Sequence, residues 1–169
     1  MSSHLGLRKL FVVVACVGLT ACGFRLAGTS ELPYELSTIR LVTNNFSKQQ
    51  EDELRGRLTR AGANVVSEPT EEAVLLSVNL NIIPDRRLAS AGSSGRFVVR
   101  IARSLDYSLK SPDGEVIVPS KTLRRQNDSE LDDDSLLASN REIENVRKDL
   151  EQALFEQLVN QLRLTNFDS

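Results

Sequence analysis

The chain has 169 residues, with 21 lysines and arginines against 23 aspartates and glutamates, one histidine, two cysteines and no tryptophan. The histidine (His4) and both cysteines (Cys16 and Cys22) fall within the first 22 residues. The remainder therefore offers nothing for a Ser-His or Cys-His nucleophile, a Cys/His zinc site or an internal disulfide, and its slight net acidity disfavours nucleic acid as a partner.

Arg8 and Lys9 precede an apolar run from Leu10 to Ala21, broken only by Gly18 and Thr20. A basic start, a short apolar stretch and small residues before a cut make a secretory signal. The run falls short of the ~20 residues that span a bilayer. Two cysteines follow small-residue triplets. Cutting before Cys16 would leave too short an apolar core, so the sequence points to Cys22 as the first residue of a mature lipoprotein. A thiol there can take a diacylglycerol and its new amine a third acyl chain. Two or more chains anchor stably, at roughly 0.8 kcal/mol per buried methylene. In lipoproteins generally, Asp after the acylated cysteine retains the protein at the inner membrane, so Gly23 reads as an outer-membrane address.

Residues 1–21 are thus expected to be a lipoprotein signal peptide, 22–36 a lipidated tether, 37–164 a single domain and 165–169 a C-terminal tail. In the domain, Ser37 to Val42 alternates like a short strand, and Asn44-Asn45 marks its exit. Ser47 and Gln50 form a capping box; Leu54, Leu58 and Ala61 make one helical stripe, and Gly62 is the stop. Val74 to Ile83 alternates apolar and polar residues, as a half-buried strand does. Arg96 to Leu109 does the same, with Phe97, Val99, Ile101, Leu105, Tyr107 and Leu109 on one face and Arg103 interrupting it. Ala89 to Gly95 reads as their hairpin connection. Ser111-Pro112-Asp113-Gly114 is a turn. Glu115 to Arg125 is a last strand, in which Pro119 favours an edge or a bulge. Asp132-Asp133-Asp134-Ser135 is expected to open a final helix, carrying Ile143, Val146, Leu150, Leu154, Leu158 and Leu162 at helical spacing. The predicted fold is α+β: a two-layer sandwich with two helices on one face of a four-stranded mixed sheet, in the order β-α-β-β-β-α.

Charge is uneven along the chain. Residues 86–125 hold nine cations and three acids, and residues 126–169 hold four cations and eleven acids, which suggests two different surfaces. Arg86, Arg87, Arg96, Arg100, Arg124 and Arg125 are the candidate ligand-binding residues, because a guanidinium fork suits phosphate and carboxylate. The other reading of these arginines is a solvated strand face whose charges discourage edge-to-edge pairing. The acidic run lacks the spacing of a calcium loop, and Gly92-Ser93-Ser94-Gly95 lacks the Gly-Lys-Ser/Thr of a phosphate loop. No acid–base pair suggests catalysis, and neither a metal nor a cofactor is implied.

The stretch Cys22-Gly23-Phe24-Arg25-Leu26-Ala27-Gly28, followed by Leu32-Pro33, resembles the start of the LPS-assembly lipoprotein family, LptE, whose members begin Cys-Gly-aromatic-x-Leu-Arg-Gly. Ala27 stands where the family usually has Arg. The element order, Leu105-Asp106-Tyr107 and the Asp113-Gly114 turn also fit. The resemblance implies a lipid-anchored plug inside the outer-membrane β-barrel LptD, which helps the barrel assemble and binds lipopolysaccharide as it enters the outer leaflet. It implies no enzymatic activity. The alternatives are a periplasm-facing lipoprotein that binds another envelope component, and a lipid-anchored hydrolase using carboxylates.

Overall fold

The computed structural model describes residues 31–91, 95–132 and 135–167. The signal segment, Cys22 and the motif around it, Gly92 to Ser94, and Asp133 and Asp134 lie outside the described residues. A single 3-10 turn, Tyr34–Leu36, leads into β1 (Thr38–Asn44), α1 (Lys48–Arg60), β2 (Asn64–Val66), β3 (Val74–Ala91), β4 (Arg96–Lys110), β5 (Val116–Asp132) and α2 (Leu136–Arg163). The strands form one five-stranded sheet in the order β2-β1-β3-β4-β5. β1 runs parallel to β2 and β3; β3, β4 and β5 form an antiparallel meander.

The α+β class, the two helices and the mixed sheet agree with the sequence. The strand count does not: the sheet has five strands rather than four. The strand not foreseen is Asn64-Val65-Val66, three residues beside β1. It is too short for a period-two pattern to register.

Local chemistry accounts for the element ends. The Ser47 side chain accepts from the Gln50 backbone and Gln50 bonds back to Ser47, completing the capping box of α1. At the other end Gly62 donates to Thr59 and Ala63 to Leu58. This is a Schellman closure, and it requires the positive φ of 100° that Gly62 adopts. Asn45, at φ 60°, turns the chain out of β1. Pro119 satisfies both sequence expectations. β5 is an edge strand, and Pro119 and Ser120 sit in a bulge between the pairs Tyr107–Lys121 and Leu109–Val118. A missing N–H costs nothing there. Asp132 closes β5 rather than opening the helix; Ser135 is the N-cap of α2 and makes no side-chain capping bond.

Both helices feed one main core. Leu54 and Leu58 of α1 and Leu154, Phe155, Leu158 and Leu162 of α2 pack with Leu76, Val78 and Leu80 of β3 and with Leu105, Tyr107 and Leu109 of β4. Phe46 stacks on Phe155 with ring centroids 5.6 Å apart. Leu32 and Leu36, in the stretch expected as a tether, also belong to this core, and the Leu32 amide donates to the Ala61 carbonyl. A second, smaller cluster (Val99, Ile101, Leu131 and Leu150, with Phe97, Ile143 and Val146 against it) lies toward the far end of the meander. Among the described residues no helix is long and apolar enough to cross a membrane.

Candidate functional site: the arginine end of the meander

β3 and β5 run well past the lengths their alternation predicted, to Ala91 and Asp132; the added stretch of β3 carries Arg86 and Arg87, and that of β5 carries Asp128 and Glu130. Cross-strand pairing assigns each one a face. Odd-numbered residues of β4 point to the helices; even-numbered ones point to the open face. Arg86 lies opposite Arg100, Arg124 lies opposite Ser104, and Arg96 shares their side. These four stand on the open face. Arg87 pairs with Val99 and covers the Phe97 ring at 4.0 Å, and Arg125 pairs with Arg103 and donates to Gln157 of α2 at 2.9 Å. The last two therefore belong to the helix side. The six candidates are not one patch.

The four on the open face differ in what they have left to offer. Arg100 makes a bidentate pair with Asp128, Nε to Oδ1 and Nη2 to Oδ2, each 2.7 Å. The hydrogen bond first, and the opposite charge with it, raise the Arg100 pKa above its usual value and lower that of Asp128. Arg96 reaches Glu130 at 3.3 Å. Part of the acidic end thus lies beside the basic middle: antiparallel pairing of β4 with the extended β5 sets Asp128 and Glu130 next to Arg100 and Arg96 on one surface, while Glu142, Glu144, Asp149 and Glu156 lie on α2. Arg86 and Arg124 are exposed, and neither side chain makes a hydrogen bond or ion pair with another described residue. Arg86 also faces the like charge of Arg100, an arrangement that costs stability in a bare sheet. Arg86 stands level with Arg100 and Arg124 level with Ser104, with the small, buried Ala102 between those levels on β4. The two arginines are thus unpaired guanidiniums on either side of β4.

A polar ladder crosses the open face toward β1. Asn45 donates to Asn79 (3.0 Å), Asn79 to Asn81 (2.7 Å) and Asn81 to Asp106 (2.7 Å), while Thr122 donates to the other Asp106 oxygen (2.5 Å). The Thr122 hydroxyl, then the Asn81 amide, hold the Asp106 carboxyl below its ordinary value of 3.8. This side of the sheet is a wettable surface of amides, hydroxyls and charges, and the helices take the apolar side.

One further set of charges lies on the helix side. Arg103 is 4% exposed. Its guanidinium donates to the Ala102 carbonyl at 2.8 Å and lies 3.8 Å from Asp85 and 3.5 Å from Glu151. Arg147 pairs with Asp85 and Glu144, and Gln50 donates to Glu151 at 2.6 Å. The sequence signal was present, a charge inside the apolar register of β4; its partners, Asp85 in a bulge and Glu151 on α2, are not visible without the fold.

These features define a class: a small helix-backed α+β domain with a polar sheet face and an arginine-bearing end. Residues 36–162 match the LptE family, described as lipopolysaccharide-assembly. The chain belongs to that lipopolysaccharide-assembly family. Solved structures share the fold. Lipoprotein B from Nitrosomonas europaea is 20% identical with a TM-score of 0.67, over 83% of this chain and 90% of that one. The minor lipoprotein from Acinetobacter baumannii is 18% identical with a TM-score of 0.61, over 76% and 92%. Rare lipoprotein B from Shewanella oneidensis is 13% identical with a TM-score of 0.61, over 74% and 92%. No curated protein sequence matches the chain.

Proposed function

We propose that the protein is an outer-membrane lipoprotein, anchored through acylated Cys22, that plugs the LptD β-barrel, assists its assembly and binds lipopolysaccharide during insertion into the outer leaflet. It acts as a structural and ligand-binding subunit rather than an enzyme. Family membership supports the setting. The polar open face supports the plug, because a barrel interior is wet and polar. The observation that carries lipopolysaccharide binding is the pair of unpaired arginines, Arg86 and Arg124, on the open face on either side of β4. A guanidinium without a counter-ion is available to a lipid phosphate, whereas one already held by a carboxylate must exchange partners.

This ranks the candidates. Reversing Arg86 and Arg124 to Glu weakens lipopolysaccharide binding by about tenfold or more, and raised salt weakens it further. Reversing Arg96 and Arg100 weakens it less. Binding of purified lipopolysaccharide to the four single variants at two salt concentrations checks this; affinity unmoved by any reversal and by salt removes the assignment.

A further inference from the structure

The two hydrophobic clusters are separated by a continuous row of side chains that do not belong to either. Ile82, Arg103 and Arg125 are register partners across β3, β4 and β5, all on the helix side. Ile82 is 72% exposed, Arg103 is buried but charged, and Arg125 is exposed and bonded to Gln157. On either side of Arg103 along β4, Leu105 belongs to the main core and Ile101 to the small one. The facing turns of α2 repeat the break: Leu154 packs in the main core, Leu150 in the small one, and Glu151 points at Arg103. A cleft of about 390 Å³ opens at this level, with Arg103 and Ile82 among its walls. β3 is bulged here as well, at Pro84 and Asp85.

We propose that this row is a hinge line and that the first half of α2, residues 136–149, is a lid. It lifts from the far end of the sheet while the main core stays closed. Among the described residues the lid is attached through Ile143 and Val146 against the small cluster, the Arg147–Asp85 pair and the bond from Ser139 Oγ to the Asp132 carbonyl at 2.9 Å. The second half of α2 is held instead by Leu154, Phe155, Leu158 and Leu162, all fully buried in the main core. Packing energy scales with buried apolar area, so the halves of one helix are secured very unequally. This row lies between the two clusters, which share no member, and so uncouples them. Opening would uncover Phe97, Val99, Ile101 and Leu131, an apolar strip with Arg87 over its Phe97 end. The inference rests on packing and stands whether or not the protein binds lipopolysaccharide.

Amide hydrogen exchange on the full chain, followed peptide by peptide in increasing sub-denaturing urea, tests it. The expected result is that 136–149, 97–101 and 127–132 exchange together through an opening that 105–109 and 154–162 do not share. Asp85→Asn, which removes the carboxylate that holds Arg147, should speed exchange in the first group at least tenfold and leave the second unchanged. Exchange of all of α2 in a single transition of wild-type protein at every urea concentration overturns the proposal, even if Asp85→Asn proves too unstable to study.

Discussion

The main core and the far end of the meander share three strands and one helix, yet they are stabilised in opposite ways. Near the start of β3, alternation is strict, and 22 buried apolar residues, 18 of them on both helices and four strands, close one cluster. Beyond Arg103 the buried cluster shrinks to four residues, and cross-strand ion pairs such as Arg100–Asp128 and Arg96–Glu130 take over the surface. Exposed ion pairs add little stability. The far end therefore depends on the main core for its order. The sheet's two faces divide the same way, with apolar residues under the helices and amides and charges on the open side.

This contrast can be probed by substitution, beginning with the largest expected effect. Phe155→Ala removes a fully buried ring stacked on Phe46 and should cost about 3–5 kcal/mol by denaturant unfolding. Leu131→Ala, in the small cluster, should cost about 2 kcal/mol, the low end for such truncations; equal losses at the two sites would show that the far end is as well secured as the core. Gly62→Ala forces an alanine into φ 100° at the α1 stop and should cost about 1 kcal/mol.

The smallest effect concerns the open face. The Asp106 carboxyl has a depressed pKa in the folded state, so its contribution is present above the unfolded value and is lost as pH falls through the folded one. Stability should drop below about pH 4, and less steeply in Asp106→Asn. Asp128, shifted in the same direction by Arg100, keeps part of the slope in that variant. Identical acid profiles of the two proteins would dismiss the ladder as a source of stability.

The same contrast explains what the sequence disclosed. Elements that bury one face were legible: the α1 stripe with its capping box, the alternation of β3 and β4, and the leucine stripe of α2. β2 escaped notice because three residues carry no period. The outer stretches of β3 and β5 escaped because a strand exposed on both faces, such as Gln126 to Asp128, lacks apolar alternation. Its backbone is held extended by pairing with β4, a tertiary cause. The candidate arginines were identified by type alone. Pairing decides which face each one occupies and which are already engaged, and composition along the chain even suggested the opposite, since it separated cations from the acids they meet. Arg103 was visible as an interruption; its role as a boundary between two cores needed both Asp85 and Glu151.

The most direct measurement is to tag the C-terminus, extract outer membranes in mild detergent, purify the protein and determine its companions and their ratio. The account predicts an equimolar complex with a large β-barrel protein. Recovery of the lipoprotein alone, or with an unrelated envelope component, would contradict it.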